Sequence, residues 1–179
     1  VQTCALPILM AGTESGNRMN LETFVQRNYM EKILCDANRR FRDMSNGQFE
    51  LKLINVEDAG EGKNKGLDLE VYSIVTGKTR SVNTLSGGES FMAALSLALG
   101  MADQIQAATA AIHLDVMFID EGFGSLSDNA RNEAVNILKE MAGKQRQIGI
   151  ISHVSELKDE IENQLIVKKD DRGSHISWR

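Results

Sequence analysis

Two cysteines, three histidines, no long apolar run and no surplus of positive charge set the first limits on this 179-residue chain. Cys4 and Cys35 have neither Cys-x-x-Cys spacing nor metal-ligand neighbours. They read as ordinary thiols in a reduced, cytoplasmic setting. No apolar run approaches the roughly 20 residues that a membrane helix needs, and no secretory signal is visible, so no membrane partner is expected. The formal net charge is −5, which argues against a large DNA-binding surface on this piece by itself. The basic residues stand in small groups: Arg39, Arg40 and Arg42, then Lys63 and Lys65, then Lys78 and Arg80. Such groups are solvated faces, or weak contacts to a phosphate backbone. Also absent is any Gly-x-x-x-x-Gly-Lys-Ser/Thr, so the chain has no loop of its own to cradle a β-phosphate and no lysine to meet it. There is no internal repeat and no low-complexity tract. What remains, 42% apolar and 25% charged residues, suits one ordinary domain with a core.

The most informative stretch is Thr84-Leu85-Ser86-Gly87-Gly88-Glu89-Ser90. Ser86 can cap a helix, and Glu89 follows at the capping-box spacing. Gly87 and Gly88 carry no Cβ, so another group can approach the backbone there. A helix-forming run, Ser90 to Asp103, comes next. Free N–H groups, a hydroxyl and no side-chain bulk at a helix start make an anion site. A plain capped helix with a glycine entry accounts for the same residues less specifically.

Val116-Met117-Phe118-Ile119 leads directly into Asp120-Glu121. Four apolar residues in a row suit a parallel strand buried on both faces. Acids at its C-terminal end lie where open α/β sheets place ligands. Asp120 would hold Mg²⁺ through water, and Glu121 would orient or deprotonate an attacking water. Ile148-Gly149-Ile150-Ile151-Ser152-His153 is a second apolar strand. His153, just past its end, can hydrogen-bond a phosphate or that water.

These three elements, in this order, resemble the C-terminal half of an ABC-type ATPase head, where they are called the signature motif, Walker B and the H-loop. Gly122-Phe123-Gly124-Ser125-Leu126 after the acids, Phe24-Val25-Gln26 upstream and Ser152-His153-Val154-Ser155-Glu156-Leu157 downstream narrow the resemblance to the SbcC family. It covers roughly Leu9 to Arg179. SbcC proteins are bacterial DNA-repair ATPases that work with the SbcD nuclease. The resemblance implies an α/β fold, one lobe of a split ATPase head. Its core sheet would be mostly parallel, with flanking helices and antiparallel edge hairpins. It implies ATP and Mg²⁺ as cofactors. Asp120, Glu121 and His153 would act on ATP held by the N-terminal lobe of the same head. Ser86, Gly87, Gly88 and Glu89 would close on ATP held by a second copy of the head. Ser125, Leu126, Ser127 and Asp128 occupy the place of the D-loop, which crosses to that second head. Relatives usually have aspartate where this chain has Ser127; Asp128 compensates for it or caps the next helix. The implied partners are an SbcD-type nuclease and double-stranded DNA ends. The fragment alone is expected to be inactive, with the apolar face that its partner lobe covers left exposed. Nothing supplies a nuclease metal cluster. The alternatives are an SMC- or RecN-type tether without a nuclease partner, an ABC transporter subunit and a non-catalytic lobe. The transporter is disfavoured by Glu89, where such chains more often have glutamine, and the non-catalytic lobe by the intact Asp120-Glu121 pair.

In chain order, Val1 to Ile8 fits poorly with the rest of the chain and is set aside, and residues 1–19 are expected to be disordered or loop. Residues 20–179 form the lobe. Asn20 starts a helix with an apolar stripe, Leu21, Phe24, Val25, Tyr29, Leu34, Ala37, Phe41 and Met44, which Asn46-Gly47 ends. Phe49 to Leu53 and Leu67 to Val71 alternate as a hairpin around the tip Gly60–Gly66. Val75 to Ser81 reads as a polar connection; Lys78 and Arg80 on it face nucleotide or DNA, or are surface charge. In the helix after Glu89, Phe91, Leu95, Ala98 and Leu99 pack under the sheet. His113 is read as structural. A helix spans Asn129 to Met141 and stops near Gly143, and a short polar one spans Glu156 to Glu162. Leu165 to Val167 and His175 to Trp178 are strands.

Overall fold

The computed structural model describes residues 21–55, 67–108, 114–142, 147–171 and 173–179. The segment 1–19, the helix start expected at Asn20, the tip Gly60–Gly66, His113 and Gly143 lie outside the described residues.

The first helix, α1, is Leu21–Met44. Asn46 and Gly47 end it with φ of 51° and 73°, and the Gly47 N–H closes onto the Arg42 carbonyl at 2.7 Å, a left-handed cap. Its apolar stripe becomes core only in the later turns. Leu34, Ala37, Phe41 and Met44 are buried, while Val25 and Tyr29 are exposed. The close approach to the next helix is at Ile33 and Ala37.

Strands β1 (Phe49–Leu53) and β2 (Leu69–Ser73) pair antiparallel, with Leu51 opposite Val71. The stretch expected as a polar connection adds a third strand instead, β3 (Lys78–Ser81), antiparallel to β2. Gly77 is the reason: at φ 67° its N–H reaches the Ser73 carbonyl at 2.8 Å, a tight turn that folds the polar residues back onto β2.

Helix α2 (Gly87–Ala108) is longer at both ends than Ser90 to Asp103. It is long and apolar enough, by length and composition, to cross a membrane, which corrects the expectation that no run approaches that length. Its composition answers to burial instead: Met92, Leu95 and Leu99 lie in the core, and the buried Ser96 hydroxyl donates to the Met92 carbonyl. Ala98, expected under the sheet, is exposed. A Cβ at Gly100 would come within 2.7 Å of the Ile33 carbonyl oxygen, so the two helices touch backbone to backbone. Arg40 with Asp103 and Gln104 with Asp36 tie them at the same level.

Strands β4 (Val116–Asp120) and β5 (Gln147–Ile151) pair in parallel, Asp120 opposite Ile151. Helix α3 (Asp128–Ala142) connects them. The expected burial on both faces does not occur. Met117, Ile119, Ile148 and Ile150 pack on the core, but Phe118 is 72% exposed, and Val116 and Ile151 are also open. Among the described residues one side of this pair is covered, and the alternate side chains of the apolar run are left outward. A single turn, α4 (Leu157–Glu160), is shorter than the helix expected at 156–162. The last strands, β6 (Leu165–Asp170) and β7 (Gly173–Trp178), run further than expected and pair antiparallel, Val167 opposite Ile176. The architecture is α/β, with one parallel pair at the functional end and antiparallel sheets beside it.

Candidate functional site

The signature stretch sits where the 3-10 turn Val82–Thr84 meets the first turn of α2. The Ser86 N–H donates to Glu89 Oε2 at 2.7 Å, and the Glu89 N–H donates to Ser86 Oγ at 3.3 Å. This is the reciprocal cap that the spacing predicts. Ser86 and Gly87 are exposed, so the helix start faces outward. Arg80 stands behind the loop, inward of the role expected for it. Its guanidinium lies 3.3 Å from Glu89 Oε2, donates to the Thr84 carbonyl at 2.8 Å and sits 5.3 Å over the Phe49 ring. Burial pushes the Glu89 carboxyl up, yet hydrogen bonds from the Ser86 backbone and hydroxyl, with the hydrogen bond and charge of Arg80, outweigh it. The group is held below its ordinary value.

The glycines of this loop serve a second contact. A Cβ on Gly88 would stand 2.7 Å from the Ser125 carbonyl oxygen, and one on Gly87 would meet Ser125 Cβ at 3.6 Å. The D-loop stretch therefore lies directly against the signature stretch. Phe123–Ser125 is a 3-10 turn, and Leu126 is buried beneath it. Ser127 Oγ accepts from the Ala130 N–H at 3.4 Å, so Ser127 takes the helix-capping role weighed for Asp128. Asp128 points to solvent and pairs with Arg131 at 3.2 Å. Arg131 also donates to the Leu126 carbonyl at 3.2 Å, which fixes the loop from within.

At the C-terminal end of β4, just ahead of this loop, Asp120 is exposed. Glu121 has φ of 61°, a left-handed backbone that non-glycine residues seldom take, and its N–H donates to the Ile151 carbonyl at 2.9 Å. That turn swings its carboxylate across to β5, where His153 Nδ1 lies 2.9 Å from Glu121 Oε2. Ser152 Oγ accepts the Val154 N–H at 3.1 Å and shapes the exit from β5. Gly122 continues the turn at φ 96°. A Cβ there would stand 2.1 Å from the Phe91 ring of α2, and Phe91 packs edge-on against Phe123 at 5.0 Å.

The structure thus brings the expected residues together in two groups: Ser86, Gly87, Gly88 and Glu89 with Ser125, and Glu121 with His153 beside Asp120. Phe91 bridges them through Gly122. Arg80, Phe91 and Arg131 are supporting residues whose roles depend on what they touch. Their only sequence signal is position, as with Arg80, six residues before Ser86. Among the described residues no group of three or more His, Cys, Asp or Glu could hold a metal. The exposed carboxylates suit a cation whose other ligands are water and phosphate oxygens, as Mg²⁺ prefers.

Residues 64–140 match the family model described as SbcC/RAD50-like, Walker B motif. The chain is 45% identical over 168 residues to the C subunit of the SbcCD nuclease of Vibrio cholerae serotype O1, covering 93% of this chain and 16% of that protein. It is 41% identical over 165 residues to the protein of the same name from Lactococcus lactis subsp. lactis, covering 89% and 15%. The chain therefore spans about a sixth of the length of these relatives. Among solved structures it resembles a chain from work on ATP-driven dimerization and DNA-stimulated activation of SMC ATPases, with a TM-score of 0.66 at 19% identity, covering 88% of this chain and 89% of that one. It also resembles an SmcHead bound to the C-winged helix domain of ScpA, with a TM-score of 0.65 at 22% identity, covering 87% and 45%. These likenesses give the fold: that of an SMC ATPase head.

Proposed function

This chain belongs to the SbcC family, as one segment of it, and on that premise we propose that residues 20–179 form the C-terminal lobe of an ATPase head. The lobe completes an ATP site whose phosphate-cradling loop lies on an N-terminal lobe. ATP would be the phosphoryl donor, and Mg²⁺, when bound, would supply neutralisation of phosphate charge. Asp120 would hold the cation. Glu121 orients the attacking water and takes its proton, and His153 holds the Glu121 carboxylate through its Nδ1–H, which leaves Nε2 to accept from the attacking water. Ser86, Gly87 and Gly88 present the α2 N–H groups and a hydroxyl to ATP on a second head. Glu89 keeps that loop folded, and Ser125 to Asp128 reach toward the second head.

The observation that carries this reading is the contact of Glu121 with His153 beside Asp120 at the end of a parallel strand pair. It supports a water-activating carboxylate aimed by an imidazole. By analogy with the relatives' name, the ATP cycle gates an SbcD-type nuclease at double-stranded DNA ends. An SMC- or RecN-type tether would lack that nuclease partner, so co-purification of such a subunit with the full-length protein separates the two readings. The decisive experiment mixes this chain with a matching N-terminal lobe and follows ATP turnover and dimerisation. Turnover and ATP-dependent dimers in the mixture, with neither in the single chains, are expected. Wild-type turnover by this chain alone would overturn the split-site reading.

A further inference from the structure

We propose that Arg80 is a positioning residue for the signature loop, a strut that couples the edge strand of the antiparallel sheet to the Ser86 phosphate contact. The inference rests on the proposed role of Ser86 toward ATP on a second head. By cross-strand register Arg80 lies opposite Val71, which is opposite Leu51, and both of these are buried. Arg80 therefore leaves the sheet on its core side. Its guanidinium sits over the Phe49 ring and divides between two ends of the loop. One nitrogen donates to the Thr84 carbonyl, just ahead of Leu85-Ser86. The other donates to Glu89 Oε2, the oxygen that also accepts the Ser86 N–H. One carboxylate oxygen thus joins Ser86 to β3.

The chemistry favours arginine at this place. A planar guanidinium can stack on a ring and donate in two directions at once; a lysine ammonium cannot reproduce that geometry. Without Arg80, Glu89 keeps its cap to Ser86 but loses one of the two residues that offset its burial, and the Thr84 carbonyl loses the Arg80 donor. The loop then samples other arrangements, and the Ser86 hydroxyl is no longer held ready for a phosphate. Through the same strut, any movement of the antiparallel sheet reaches the surface where two heads meet.

The test uses the full-length protein carrying this segment, with R80K and R80Q and with S86R as reference. Amide hydrogen exchange at Ser86 and Glu89 is expected to quicken about tenfold in both Arg80 variants, with the β1–β2 amides unchanged. ATP-dependent dimerisation is expected to need about tenfold more ATP, with ATP binding to a single head unaltered. R80K is expected to rescue neither readout, although it restores the charge. Unchanged exchange at Ser86 overturns the strut. Faster exchange with normal dimerisation overturns its coupling to head closure, and full rescue by R80K reduces Arg80 to a surface charge. If neither Arg80 variant folds, the residue is structural and the proposal fails. If S86R also dimerises normally, the trans role of Ser86 fails, independently of the exchange result.

Discussion

Glu121 occupies a backbone conformation that costs on the order of 1–3 kcal/mol for a residue with a side chain, and its φ of 61° is what turns its carboxylate toward His153. Strain of this kind persists only where neighbours enforce it, and here the Ile151 carbonyl does so. With an N-terminal lobe present, Glu121→Gln is expected to lower ATP turnover by at least about 100-fold, the scale of general-base catalysis. ATP-driven dimerisation, read by light scattering, is expected to remain. Normal hydrolysis by the variant would remove Glu121 from the chemistry. Glu89 gives a prediction in pH. Its folded carboxyl is held below the ordinary range, so its contribution to stability is present above the unfolded-state value. That contribution is lost as pH falls through the folded one. Melting temperatures of wild type and Glu89→Gln are expected to differ at neutral pH and to converge in acid. A constant gap across the acid range would contradict this linkage.

At the scale of elements, two glycines decide how α2 meets the loops after β4. Gly88→Ala places a methyl against the Ser125 carbonyl, so one loop must move; a cost of about 1–3 kcal/mol is expected from such overpacking. Gly122→Ala combines a left-handed φ with a collision at the Phe91 ring. It is expected to be the more destabilising of the two, measured as the fall in melting temperature. Removing the ring should relieve the steric part alone. Phe91→Ala with Gly122→Ala is therefore expected to cost less than the sum of the single changes, and strict additivity would show that the ring does not set the limit. The capping box and the helix-ending Asn46-Gly47 were legible because both are local: a few adjacent residues contain all the partners. β3 was not, because Lys78 to Ser81 is polar, and only the turn at Gly77 makes it pair with β2.

At the scale of the molecule, the described residues leave one apolar side open. Val116, Phe118 and Ile151 of the parallel pair are exposed, as are Leu165, Val167, Ile176 and Trp178 of the final hairpin. Apolar surface of this kind is costly in water and favours association. This chain alone is expected to bind a hydrophobic dye and to self-associate, and addition of a matching N-terminal lobe is expected to suppress both. Persistent dye binding in an active mixture would mean that the lobe covers another surface.

The identity and order of the site elements are written in local runs of the chain. A serine, two glycines and a glutamate before a helix, an apolar strand ending in two acids, and a histidine past a second strand are local chemistry, readable without a fold. What those groups face depends on the folded chain. It set Glu121 against His153, laid Ser125 on Gly88, and drew Arg80 inward beneath the signature loop. Each of these contacts joins residues distant along the chain or turned by a single backbone angle, and neither spacing nor composition encodes such a meeting. The same holds for the half-covered β4. An apolar run shows that a strand seeks burial, but how many of its faces are buried depends on which elements the fold brings against it.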